Sequence, residues 1–222
     1  MLGRFTLAVA AAALVAAPVT AQEAGQFKVG PRLGYIKYAE KSGLQPGGML
    51  GLDAFYRVNN HVGLGFMLGV SRPQTDGQYF PAELTFYDST FVYQVVQPVT
   101  IATYQAAIEF SGGGQFSPFI SGAVGGYRVN LDPQVATGNR NFNHLGFTFG
   151  GGLQIAAGES ARLRLEAYDM VFTHFNRQDL NTTRSLNQPT RFPDLVPPQP
   201  PFSGATHNLM ASIGFYFTPG GN

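Results

Sequence analysis

The stretch from Val62 to Ser71 reads V-G-L-G-F-M-L-G-V-S. Val62, Leu64, Phe66, Leu68 and Val70 fall on one parity and Gly63, Gly65, Met67, Gly69 and Ser71 on the other, which is the period of a β-strand. One face is apolar and the other nearly bare. A tilted strand crosses a bilayer in about 9–11 residues, and a membrane barrel sets apolar residues toward lipid against small or polar ones inside. A soluble sheet can alternate in the same way, so the choice rests on what the rest of the chain offers to water.

Charged residues make up 12% of the chain, whereas a soluble surface carries about 25–35%. A water-facing sheet built from this chain would stay largely uncovered, and lipid removes that difficulty. Arg4 followed by the mainly apolar run Phe5 to Ala17 and by Val19-Thr20-Ala21 predicts an export signal, residues 1–21, cleaved before Gln22, leaving one barrel domain over 22–222. Losing Arg4 from a chain with 14 basic and 13 acidic residues brings the charges into balance, so no nucleic-acid partner is expected. The chain has no Cys, hence no disulfide framework, lipid-anchor cysteine or thiolate metal site.

Seven further strands surround the opening one. Phe27 to Tyr38 turns odd residues to lipid and Lys28, Gly30, Arg32 and Gly34 inward, with Pro31 marking a bulge or a position near the strand's start. Gly48 to Val58 sets Leu50, Leu52, Ala54 and Tyr56 outward against Asp53 and Arg57. Val99 to Phe110 faces Glu109 and Gln105 inward. In Phe116 to Val129 the glycines blur the parity and the faces stay unassigned. His144 to Ala156, Ala161 to Phe172 and Ala205 to Phe217 return to order, the second with Arg162, Arg164, Glu166 and Tyr168 inward. Short turns at Asn59, Gly112 and Ala157 alternate with long connections at Arg72, Leu131 and Thr173, as periplasmic turns alternate with external loops. Only the loop after the first strand is short for an external one. The fold class is therefore all-β, an eight-stranded antiparallel transmembrane β-barrel in up-and-down order.

The segments F-S-P-F-I-S-G-A-V-G-G-Y (Phe116 to Tyr127), L-G-F-T-F-G-G-G-L-Q-I (Leu145 to Ile155), R-L-R-L-E-A-Y (Arg162 to Tyr168) and N-L-M-A-S-I-G-F-Y-F (Asn208 to Phe217) resemble the small eight-stranded outer-membrane barrels, a group that includes the membrane domain of outer-membrane protein A and surface-antigen barrels. The resemblance implies a monomer in a Gram-negative outer membrane, with the bilayer and lipopolysaccharide as partners. It also implies insertion by the barrel-assembly machinery, which reads a closing strand ending on an aromatic residue; here Thr218 to Asn222 follow Phe217. No periplasmic peptidoglycan-binding domain is expected after the barrel, so that family role is not carried over.

Three parts of the chain can carry function. The inward charges Lys28, Arg32, Asp53, Arg57, Glu109, Arg162, Arg164 and Glu166 either pair as a closed plug, which an eight-stranded bore is narrow enough to hold, or line a narrow or gated pore whose basic excess favours anions. The external loops carry Phe80, Phe86, Tyr87, Phe91 and Tyr93, and then Phe192, Leu195, Val196 and Phe202; these form a contact surface for a host molecule, a lipid or another barrel, or pack on one another as a cap. His144 and His174, with His207 nearby, are either rim polar residues or a weak candidate metal or acid–base cluster. No cofactor is expected. No enzyme is expected either: P-loop, dinucleotide, zinc-helix and nucleophile-elbow motifs are missing, and His174-Phe175-Asn176 lacks the serine of the His-x-Ser-Asn arrangement in lipid A deacylases. The sequon Asn181-Thr182-Thr183 is read as chance. A lipocalin-like soluble barrel is the remaining rival, disfavoured by the bare glycines that would then face water.

Overall fold

The computed structural model describes residues 24–94, 96–131, 140–180 and 200–219, with backbone alone over 81–86, 90–94 and at 140. The signal segment 1–21 and Phe192, Leu195 and Val196 lie outside the described residues, as do the side chains of Phe86, Phe91 and Tyr93.

In chain order the strands are β1 (Phe27–Lys37), β2 (Gly47–Arg57), β3 (Val62–Ser71), β4 (Pro81–Phe86), β5 (Ser89–Gln94), β6 (Val99–Ser111), β7 (Phe116–Leu131), β8 (Arg140–Ala156), β9 (Ala161–Asn176) and β10 (Ser203–Phe217). Eight of them close a barrel in the ring order β1-β2-β3-β6-β7-β8-β9-β10, sealed by β10 on β1 from Val29 opposite Phe217 to Lys37 opposite Leu209. Closure leaves no open edge in the apolar layer, which lipid requires. The pair β4-β5 is a separate two-stranded sheet, so the aromatic stretch after Arg72 forms a hairpin outside the barrel ladder.

The face assignments hold strand by strand. Leu50, Phe66 and Leu209 are about three-fifths exposed, while Met49, Met67 and Met210 beside them are buried. The unassigned strand, β7, turns Ser117, Phe119, Ser121, Ala123, Tyr127 and Val129 inward and Ile120 and Val124 to lipid. Pro31 makes no bulge: the β1–β10 ladder passes from Val29 to Arg32 without a register shift, and Pro31 pairs with Leu52 on the β2 side.

The inward glycines are filled, not bare. A β-carbon on Gly65 would lie 2.8 Å from Cδ1 of Phe55, and one on Gly150 would lie 2.7 Å from Cδ1 of Tyr168, both closer than side-chain carbons tolerate. A large ring on one strand thus lies flat across a glycine on the next.

The walls differ in height. β1, β2 and β3 have 11, 11 and 10 residues, about the bilayer-crossing length, whereas β7, β8 and β9 have 16, 17 and 16. Residues expected in loops, 140–143 and 173–176, continue β8 and β9 instead. The extra length lifts that wall roughly 12–15 Å above the membrane. Near its top β9 bulges against β10, and His174 takes a φ of 53° there.

Candidate functional site: a charged plug beneath a loop cap

The lower, periplasmic half of the bore is crossed by ion pairs. β1 contributes Lys28 and Arg32, β2 Asp53 and Arg57, β6 Glu109, and β9 Arg164 and Glu166, each on the inward parity of its strand. Glu109 is the hub: Lys28 Nζ stands 2.5 Å from its Oε1, Arg164 Nη1 2.8 Å from its Oε2, and Arg57 Nη2 3.7 Å from Oε1. Gln154 Nε2 donates to the same carboxylate at 3.2 Å. Arg164 also reaches Glu166 at 2.7 Å through Nε, and Arg32 lies between Asp53 at 3.3 Å and Glu166 at 3.8 Å. Tyr216 donates its hydroxyl to Asp53 and Ser212 donates to Glu166.

These contacts cross the bore. β1 and β6 stand three places apart around the ring, as do β6 and β9, so the Lys28–Glu109 and Arg164–Glu109 pairs are chords. The Arg164 guanidinium is further held over the Phe119 ring at 3.9 Å and the Tyr216 ring at 4.4 Å. Seven of the expected inward charges therefore meet in one network of four cations and three carboxylates. Arg162 does not join it: two residues before Arg164 on the same face, it sits half-buried at the periplasmic rim, where it donates to the carbonyl of Gly114 in the β6–β7 turn.

The upper half of the bore is largely apolar, its few buried polar groups, such as Ser71, Thr206 and Asn208, being hydrogen-bonded. Ile36, Met49, Ile101, Met170, Phe172 and Met210 are buried there, with Tyr127 stacked on Phe172 at 4.2 Å between ring centres. The outer loops close over this layer. Leu44 from the loop after β1, Phe80 from the loop after β3, and Phe175 and Leu180 at the top of β9 and beyond are all buried in the same core. Two backbone bridges and one side chain join the loops: Leu44 bridges Thr75, Gln74 bridges Pro98, and the Gln97 side chain donates through Nε2 to the carbonyl of Leu180 at 2.7 Å.

Arg177 clasps the cap. It lies in a single helical turn, Arg177–Leu180, donates to the carbonyls of Lys41 at 3.2 Å and of Pro200, and covers the Tyr79 ring at 4.4 Å. Burial lowers the proton affinity of this guanidinium. Lys41 in turn stands 4.7 Å over the ring of Phe202, which is half-buried. Phe80 and Phe202 thus belong to a packed cap, while Tyr87, at the tip of the β4-β5 hairpin, is 87% exposed with a φ of 53°.

The histidines separate. His144 and His174 face each other with ring centres 6.4 Å apart, but His207 turns to the lipid side and pairs with Asp169. Among the described residues no group of three or more His, Cys, Asp or Glu is placed to hold a metal.

The closed ring of tilted strands, apolar outside and charged within, defines an outer-membrane barrel. The family model of the outer membrane protein beta-barrel domain matches residues 7–187, and the chain belongs to that family. Among solved structures it is similar to Neisserial surface protein A (NspA), at 12% identity with a TM-score of 0.55, covering 86% of this chain and 96% of that one. It is likewise similar to the outer membrane protein OprG from Pseudomonas aeruginosa, at 12% identity with a TM-score of 0.53, covering 90% and 98%. At these identities the likeness is one of fold. No curated protein matches the chain. The protein is an integral protein of the Gram-negative outer membrane.

Proposed function

We propose that this barrel is closed to solutes and acts at the cell surface, in a structural or adhesive role carried by its outer loops, with no catalytic part. The observation that carries the reading is the set of chords through Glu109: breaking a buried ion pair costs about 3–5 kcal/mol, so a plug in which Lys28, Arg57 and Arg164 share one carboxylate opposes opening of the bore. The cap above it adds a second barrier, and the hairpin beside the cap carries an exposed Tyr87 away from the barrel ladder, where a partner can reach it. A narrow anion-favouring pore is the second reading, supported by the excess of one cation in the network. Single-channel recording of the mature protein in a planar bilayer separates the two, with insertion verified by heat-dependent gel mobility. Insertion without conductance is expected, and reproducible steps would replace the surface reading with the pore.

A further inference from the structure

The lipid-facing parity of the barrel is apolar over most of its height; among the described residues its charged side chains are Arg128 on β7, bonded to Asn130, and a group shared by three neighbouring strands. Asp169 on β9 and Lys37 on β1 flank Leu209 of β10 on either side in the register, and His207 stands two residues further out on β10. His207 Nδ1 lies 2.7 Å from Asp169 Oδ2, and its side chain is 62% exposed. The other Asp169 oxygen has no hydrogen-bond partner among the described residues, so His207 is the carboxylate's counter-group. Lys37 is exposed and has no ion-pair partner among the described residues. Diagonal neighbours on adjacent strands lie roughly 7–8 Å apart, within reach of a lysine and an imidazole converging on one ligand.

Height decides what they meet. From Phe217 at the inner end of β10 to His207 the chain climbs roughly 25 Å along the membrane normal, which is about the full height of the apolar band. The cluster therefore stands at the outer boundary, where headgroups begin. An amphiphile whose acyl chains lie along Leu33, Leu209 and Ile213 brings its headgroup to this point. We propose that Lys37 and His207 bind a phosphate group of outer-leaflet lipopolysaccharide. Asp169 holds the ring from behind, so a protonated His207 donates through one nitrogen to Asp169 and through the other to the phosphate. The site is separate from the plug and the loops and does not rest on the surface reading.

The test is the thermal unfolding of the folded, gel-shifted protein in phosphatidylcholine nanodiscs, alone, with lipopolysaccharide added, and with inorganic phosphate added. Ligand that binds the folded state raises the midpoint by mass action. The wild type is expected to gain stability with lipopolysaccharide and none with inorganic phosphate, and the double variant K37Q/H207Q, which also leaves Asp169 without its counter-group, is expected to lose most of that gain, read as the shift from its own midpoint in phosphatidylcholine. Each single variant is expected to lose part. An equal gain in wild type and double variant, or no gain in the wild type, overturns the site. A gain of the same size with inorganic phosphate overturns the lipid as its source.

Discussion

Replacing Glu109 by Gln tests whether the plug is held by charge. The substitution keeps side-chain size, exchanges one acceptor oxygen for an amide donor, and removes the one negative charge that Lys28, Arg57 and Arg164 share. The network passes from four cations against three carboxylates to four against two, with Asp53 and Glu166 lying nearer Arg32 and Arg164 than Lys28 or Arg57. At an effective dielectric constant near 20, a pair at 4 Å is worth about 4 kcal/mol, and the amide dipole recovers part of that. A destabilisation of about 3–5 kcal/mol is expected, the range for a buried pair that loses one partner. The chain has no Trp, so unfolding in urea is followed by far-ultraviolet circular dichroism and by gel mobility in phosphatidylcholine vesicles. Lys28→Met alone is expected to cost less, since Glu109 keeps two partners, and the double variant is expected to fall short of the summed single costs by more than about 1 kcal/mol. A Glu109→Gln protein within about 1 kcal/mol of wild type, or an additive cycle, refutes the reasoning and makes the bore a hydrated one in which water screens these charges.

Leu68 faces lipid near mid-height on β3, so Leu68→Arg is expected to cost about 2–4 kcal/mol in vesicle refolding, whereas Val58→Arg beside the β2–β3 turn costs about 0–1. Equal costs would void the depth assignment. Arg177→Ala removes two carbonyl contacts and a ring contact from the cap, about 2–3 kcal/mol, so cleavage of the outer loops by added protease on intact folded protein is expected to speed up roughly 30- to 150-fold. The barrel core should stay protease-resistant, because the plug lies below the change.

Parity made the outer face and the plug legible. Lys28, Arg32, Asp53, Arg57, Glu109, Arg164 and Glu166 each alternate with lipid-facing residues, and strand period alone places them in one bore. Arg162 shares that parity but sits at a strand end, where a long side chain reaches the rim and water instead. The apolar upper bore was not legible, because Ile36, Met49, Ile101 and Met170 occupy inward positions with residue types that also suit lipid. Arg177 gave no local signal, since its three contacts come from distant loops. Asp169 did carry a readable one: a carboxylate on the lipid parity of a strand whose other charges face inward needs a counter-group on a neighbour.

The two halves of the bore place different demands on the loops. The charged layer pairs each of its carboxylates with a cation across or along the ring, although Arg32 Nε and Arg57 Nε and Nη1 find no hydrogen-bond partner among the described residues. An apolar layer open to the external solution needs a cover, because Met49, Ile101, Phe172 and Met210 would be wetted from above. Leu44, Phe80, Phe175 and Leu180 close that layer and are themselves buried by doing so, so the cap is an extension of the barrel core across the shorter β1–β3 wall. Loop residues committed to that seal are not free to bind anything else. Among the described residues, those outside that seal include the β4-β5 hairpin, whose strands pair only with each other and whose tip presents Tyr87 to solvent.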